Sequence, residues 1–174
     1  KGIKEEKIFV IENGFDLEKN ITPNKTIKEV EKYYVVNKND FIISFIGTVG
    51  MAHGLEIILK AAKNVKEDIK FLIIGDGARK KDLKKIAKEE DLKNVKFISN
   101  ISWQEIVNLN QVIDIHLVHL INDVEFKKVI PSKIFESMAL KKPIIMGVQG
   151  ESKTIVNSAN CALNITPENH IDLV

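Results

Sequence analysis

Short, almost wholly apolar runs recur along this chain, and between them apolar residues return at helical spacing. The runs are residues 41–46, 70–74, 95–98, 112–120, 143–146 and 161–165, with a further one at 6–11 closed by the turn dipeptide Asn13-Gly14. Strands this short and this apolar are buried on both faces, which an antiparallel sheet with one wet face does not allow. The segments between them carry helical patterns. In 55–66, Leu55, Ile58, Leu59 and Ala62 point inward; in 79–90, Leu83, Ile86 and Ala87 do, with the lysines and acids as a solvated face. Shorter helices are expected over 24–34, from a Ser102 cap through Leu109, from Pro131 to the stop at Pro143, and over 151–158. Alternation at this rhythm predicts parallel βαβ units: an α/β, Rossmann-like, doubly wound sheet of about six strands.

Bulk properties narrow the function classes. The net charge of +2 argues against a dedicated nucleic-acid binder. No apolar run approaches the roughly 20 residues of a membrane span. Cys161 is the single cysteine, so an intramolecular disulfide and a cysteine-based metal site are both ruled out, and a small core residue in a reducing cytoplasm is the expectation. The 174 residues suit one domain, yet the chain opens on Lys1 and its last pattern, 167–174, reads as a helix cut off midway. Both features suggest a piece of a longer protein.

In a doubly wound sheet, ligands sit beyond the carboxyl ends of the strands, where strand order reverses. The loop 47–54 lies between a strand and a helix and holds Gly47, Gly50 and Gly54, which permit close backbone approach to a phosphate. It matches neither G-x-G-x-x-G nor the P-loop, which disfavours an NAD-dependent dehydrogenase. His53 in that loop either donates to an anion or packs at the turn. Asp76, in Gly75-Asp-Gly77, reads as turn chemistry, and His116 and His119, on opposite faces of a strand, as core or edge packing. Asn100-Ile-Ser-Trp103 offers either backbone groups and an apolar wall to a flat base, or a plain helix cap with Trp103 at the surface. Near Pro131, Ser132 is expected to cap the helix, and Ile134, Phe135, Met138 and Ala139 to face the core. Lys133 and Glu136 lie off that stripe, three residues apart, either as a surface ion pair or as an ammonium and a carboxylate converging on the helix start.

Taken together these segments resemble the C-terminal, donor-binding domain of a GT-B glycosyltransferase of the retaining family 4, or group 1, type. The landmarks are Ile11-Glu-Asn-Gly-Phe-Asp16, Phe45-Ile-Gly-Thr48 with His53-Gly54, Ile74-Gly-Asp-Gly77, Val95-Lys-Phe-Ile98 and Pro131-Ser-Lys-Ile-Phe-Glu-Ser-Met-Ala-Leu-Lys-Lys-Pro-Ile-Ile145. Gly50-Met-Ala-His-Gly-Leu-Glu56 and Pro131-Ser-Lys-Ile-Phe-Glu136 are similar to a subgroup that transfers acetamido sugars in surface-polysaccharide synthesis. The resemblance implies a retaining enzyme that moves a sugar from a nucleoside diphosphate, with uridine the expected base, to an acceptor saccharide or lipid-linked saccharide. It implies no metal and no further cofactor. Glu136 matches the second glutamate of the family's E-x7-E motif and would bind the donor ribose, while Lys128 stands where the first would fall. Thr48 and His53 occupy the places of an arginine and a lysine that flank the family's diphosphate.

The implied donor set is therefore Gly47, Thr48, Gly50, His53, Gly54, Asn100, Ile101, Ser132, Lys133 and Glu136, with Lys133 and Glu136 the catalytic candidates. Lys141 replaces the usual helix-ending glycine and is expected at positive φ. On this reading residues 1–174 form a single domain that works with an N-terminal domain lying outside the chain, in the cytoplasm. Any peripheral contact with the inner membrane face would belong to that other half. A sugar-nucleotide epimerase half-domain and a non-catalytic nucleotide-binding module are the alternatives.

Overall fold

In the computed structural model, residues 2–11, 13–16 and 18–174 are described. Six parallel strands form one sheet: β1 (Phe41–Ile46), β2 (Ile69–Ile74), β3 (Val95–Ile98), β4 (Ile115–His119), β5 (Ile144–Gly147) and β6 (Ala162–Asn164). Their order is β3-β2-β1-β4-β5-β6, so chain direction across the sheet reverses between β1 and β4. The α-helices among the described residues are α1 (Ile27–Tyr34), α2 (Glu56–Ala62), α3 (Lys80–Glu89), α4 (Trp103–Leu109), α5 (Lys133–Ala139) and α6 (Glu151–Ser158).

Strand pleating sends alternate residues to opposite faces, and the buried clusters follow that rule. Ile43, Phe45, Phe71, Ile73, Ile115 and Leu117 meet Leu55, Ile58 and Leu59 of the α2 segment and Leu83 of α3. On the other face, Ile42, Leu72 and Ile74 pack with Val30 and Tyr34 of α1 and Leu109 of α4. Val118, Ile144 and Met146 continue that face under Ile134 of α5 and Val156 of α6. Cys161 packs at the margin of this last cluster, as a small core residue would.

β1 pairs with β2 along its whole length but with β4 only through Ile43–Ile115 and Ser44–His116. The two central strands therefore diverge after Ser44, ahead of the end of β1 at Ile46. This splay, at the reversal point, positions the site.

Several expectations need correction. Residues 6–11 do not form a strand: Glu5–Lys7 is a 3-10 turn, and Ile8, Phe9, Val10 and Ile11 are 58%, 83%, 87% and 90% exposed with no ladder partner among the described residues. Apolar sequence makes a strand only where a neighbouring backbone is free to pair. Asn13-Gly14 is not a turn; the chain turns further on, where Lys19 N–H donates to Asp16 O. The run 112–120 narrows to β4 because residues 111 and 112 still belong to the turn that ends α4. Residues 167–174 are turns rather than a helix. Asn169 and Asp172 side chains take the N–H groups of Ile171 and Thr166, local bonds that compete with helix. Leu173 nevertheless reaches the core beside α2.

Ser132 precedes α5 with helical backbone angles and makes no side-chain cap. Of the expected α5 stripe, Ile134 is fully buried, with Phe135 and Met138 packed at the edge of the cluster. Lys141 does stand at positive φ, +56°. It closes α5 with bonds from Lys141 and Lys142 N–H to Met138 and Ser137 carbonyls. Among the described residues, no helix is long and apolar enough to cross a membrane.

Candidate functional site

The glycine loop is an extension of β1 lying against the end of β2. Gly47 and Val49 N–H donate to Ile74 O and Asp76 O at 2.8 and 2.9 Å, and Arg79 N–H returns to Val49 O at 3.0 Å. A side chain on Gly75 or Gly77 would run into the backbone of Gly47 or Val49, so the Gly-Asp-Gly segment is glycine for close approach. The alternation leaves Thr48 and Gly50 N–H without an acceptor among the described residues. The loop ends in a 3-10 turn, Met51–His53, closed by Gly54 in the left-handed region.

Lys133, in the first turn of α5, crosses the splay and lies over this loop. A Cβ built on Gly47 would stand 2.5 Å from Lys133 Cε and 2.6 Å from Nζ, so any side chain there would displace the lysine head. The ammonium is 5.4 Å from the centre of the Phe45 ring, within cation–π range. Burial pushes the Lys133 pKa down, and the nearby Glu136 carboxylate opposes this. Glu136 makes no salt bridge with Lys133. Both instead line a crevice walled by Ile46, Ile106 and Leu140, with room for at most about one water molecule.

Beneath that crevice, Ser137 fastens the first turn of α5 to β4. Its hydroxyl donates to Lys133 O at 2.8 Å, so it accepts from His116 Nδ1 at 2.8 Å, and His116 is the Nδ1–H tautomer. Burial holds the His116 pKa down at about 4. His53 and His119 join the loop to the end of β4. His53 Nδ1 donates to His119 O (3.2 Å) and His119 Nδ1 donates to His53 O (2.6 Å). His119 Nε2 accepts from Glu168 N–H at 2.9 Å, which places its proton on Nδ1. Both rings have lowered pKa values, first through burial; for His53 the Lys133 charge adds to it. His53 therefore ties loop to strand through Nδ1, and it sits close to the lysine.

Thr48, Asn100 and Ser132 are exposed, while Gly50, Gly54 and Ile101 are half-buried. The structure brings Gly47, His53, Lys133 and Glu136 together. Ser132 offers no side-chain contact there. The loop after β3 stands two strands away, but it leads into α4, whose Ile106 borders the same crevice as Glu136. Trp103 is not a free wall for a base: its Nε1–H donates to Asn20 O at 2.6 Å, Lys19 lies 3.8 Å over its ring, and Phe15 packs beside it. Asn108 of α4 likewise accepts from Asn24 and Lys25 N–H. This strapping of Phe15, Lys19, Asn20, Asn24 and Lys25 onto α4 carries no motif. A tryptophan and two asparagines in otherwise solvent-facing positions were its only trace.

Residues 26–174 match the family model for glycosyl transferases group 1. The chain belongs to this family. It is 32% identical over 139 residues to WbjE of Pseudomonas aeruginosa, assigned as a glycosyltransferase, covering 78% of this chain and 34% of that protein. It is 33% identical over 81 residues to WcaI of Escherichia coli K12, assigned as a glycosyl transferase of colanic acid biosynthesis, covering 46% of this chain and 20% of the other. Among solved structures, Anabaena Alr3699/HepE in complex with UDP-glucose superposes with a TM-score of 0.74 at 20% identity, over 99% of this chain and 47% of that one. The chain thus has the GT-B half-fold expected of it, and it spans about a third or less of the curated relatives' length. The comparisons favour this family over the epimerase, non-catalytic nucleotide-binding module and dehydrogenase alternatives.

Proposed function

We propose that this chain is the nucleotide-sugar-binding half of a retaining glycosyltransferase. The full enzyme would break the bond between an anomeric carbon and a nucleoside diphosphate, and form a bond from that carbon to an acceptor hydroxyl with the same stereochemistry. The base is uridine on this reading, in keeping with the UDP-glucose complex of Alr3699/HepE. A saccharide or lipid-linked saccharide acceptor in surface-polysaccharide synthesis accords with the role assigned to WcaI.

One observation carries the proposal: the Lys133 ammonium is seated on Gly47, beside the open N–H groups of the loop, with Glu136 one helical turn on. A half-buried cation beside oriented amides stabilises charge developing on a departing diphosphate more than the same groups would in water. Lys133 is the catalytic group on this account, with Thr48 and Gly50 N–H beside it, and Glu136 accepts from ribose hydroxyls. Protein groups, rather than a metal, neutralise the diphosphate. The crevice is too narrow to enclose a nucleotide, so the donor lies across its rim, with the base toward Asn100 and Ile101. The acceptor and its binding groups come from an N-terminal domain.

Calorimetric titration of Lys133→Ala with UDP and with uridine tests the assignment. UDP affinity should fall at least tenfold while uridine affinity stays within about twofold. Equal losses would show that Lys133 does not serve the diphosphate.

A further inference from the structure

Lys80 opens α3 and is 8% exposed, the only buried lysine among the described residues. Its ammonium is within hydrogen-bond distance of Gly75 O (2.7 Å), Asp76 Oδ1 (2.6 Å), Ile98 O (3.0 Å) and Ser99 Oγ (3.3 Å). These acceptors belong to the carboxyl ends of β2 and β3. The second Asp76 oxygen, Oδ2, accepts from Asn100 N–H at 2.8 Å. The ladder between the two strands ends at Ile74–Ile98. Past that point, the hydrogen bonds that reach residues 99–101 from elsewhere in the described chain are the two from Lys80 and Asp76. The expectation that the α3 lysines all form a solvated face therefore fails at Lys80, and Asp76 does more than shape a turn.

We propose that Lys80 and Asp76 are positioning residues for nucleotide-base recognition: as one ion-paired clamp they hold loop 99–101 in register with the glycine loop, without touching the donor. This rests on the reading above, in which that loop faces the base. An ammonium is suited to the task because it donates in several directions from one point and so gathers two strand ends together. The carboxylate passes that constraint to the Asn100 amide through a charge-assisted bond, about twice as strong as a neutral one. Gly75 and Gly77 pack on Gly47 and Val49, so the same clamp sets the spacing between the base loop and the diphosphate loop. A base loop fixed before binding loses less freedom when the donor arrives.

The experiment is calorimetric titration of this chain, and of its Lys80→Met and Asp76→Asn variants, with UDP and with inorganic pyrophosphate, alongside the Asn100 amide proton shift. Both variants should weaken UDP about tenfold, leave pyrophosphate within about twofold, and move the Asn100 proton upfield. Should Lys80→Met fail to fold, Asp76→Asn carries the test alone, since that side chain is 46% exposed. Unchanged UDP affinity with a shifted Asn100 proton overturns the inference, and so does an equal loss of UDP and pyrophosphate. Failure of the parent chain to bind UDP at all overturns the donor reading itself, and this inference with it.

Discussion

His53 and His119 each hold the other's backbone: the Nδ1 of each ring is bonded to the carbonyl of its partner, at 3.2 and 2.6 Å. The pair ties the end of the glycine loop to the end of β4, and the His119 Nε2 bond to Glu168 N–H extends the tie to the C-terminal turns. Replacing His119 by alanine removes two bonds and leaves a hole beside Gly147 and Gly54, both of which touch the ring. We predict a loss of about 2–4 kcal/mol in urea unfolding, with faster amide exchange in residues 50–54. A variant as stable as its parent would mean that the tie is incidental.

Gly47→Ala tests whether the lysine seat matters more to binding than to folding. The φ of +135° disfavours any side chain, and the new methyl would meet the Lys133 chain end, which is flexible and moves aside. The expected cost is about 1–3 kcal/mol of stability. The displaced ammonium should also weaken UDP by more than tenfold. If UDP binding survives the substitution, the seat is not part of the donor site.

Lys141 stands at φ +56° at the end of α5, where an L-residue is strained and glycine is not. Lys141→Gly should therefore stabilise the chain by about 1 kcal/mol, a gain seen as a higher urea midpoint with unchanged slope. No gain, or a loss, would place the strain elsewhere.

Acid should weaken the fold over a window set by buried histidines. The folded-state pKa of His116 is held at about 4 by burial, against an ordinary value of 6.5 in the unfolded chain. Above that ordinary value both states are neutral, and pH has no leverage through this group. As pH falls through the window the unfolded chain takes up a proton that the folded one refuses, so stability declines until the folded pKa is reached, by at most about 3 kcal/mol. His53 and His119, also lowered by burial, act in the same direction. Urea midpoints between about pH 7 and pH 4 should fall less steeply in His116→Gln than in the parent. Identical slopes would remove His116 from the account.

Strand positions and the double winding of the sheet were legible without coordinates, because strands buried on both faces must be short and apolar and the helices between them must show one apolar face. So were the parts of the candidate site that lie on local signals. The glycine loop shows its own composition, α5 its proline boundaries, and Lys133 and Glu136 their spacing on one edge of a turn. Lys141 at positive φ followed from the resemblance, in which it stands in place of a helix-ending glycine.

The clamp of Lys80 and Asp76, the crossed histidines, and the packing of Phe15, Lys19 and Asn20 on Trp103 were not legible. Each joins groups that are distant in the chain or that look solvated in it, and their meeting depends on strand order. Residues 6–11 are the converse case, a stretch with strand composition and no backbone to pair with. Periodicity reports which face of an element is buried. Against what it is buried, and which polar groups that burial forces together, follows from packing the whole sheet.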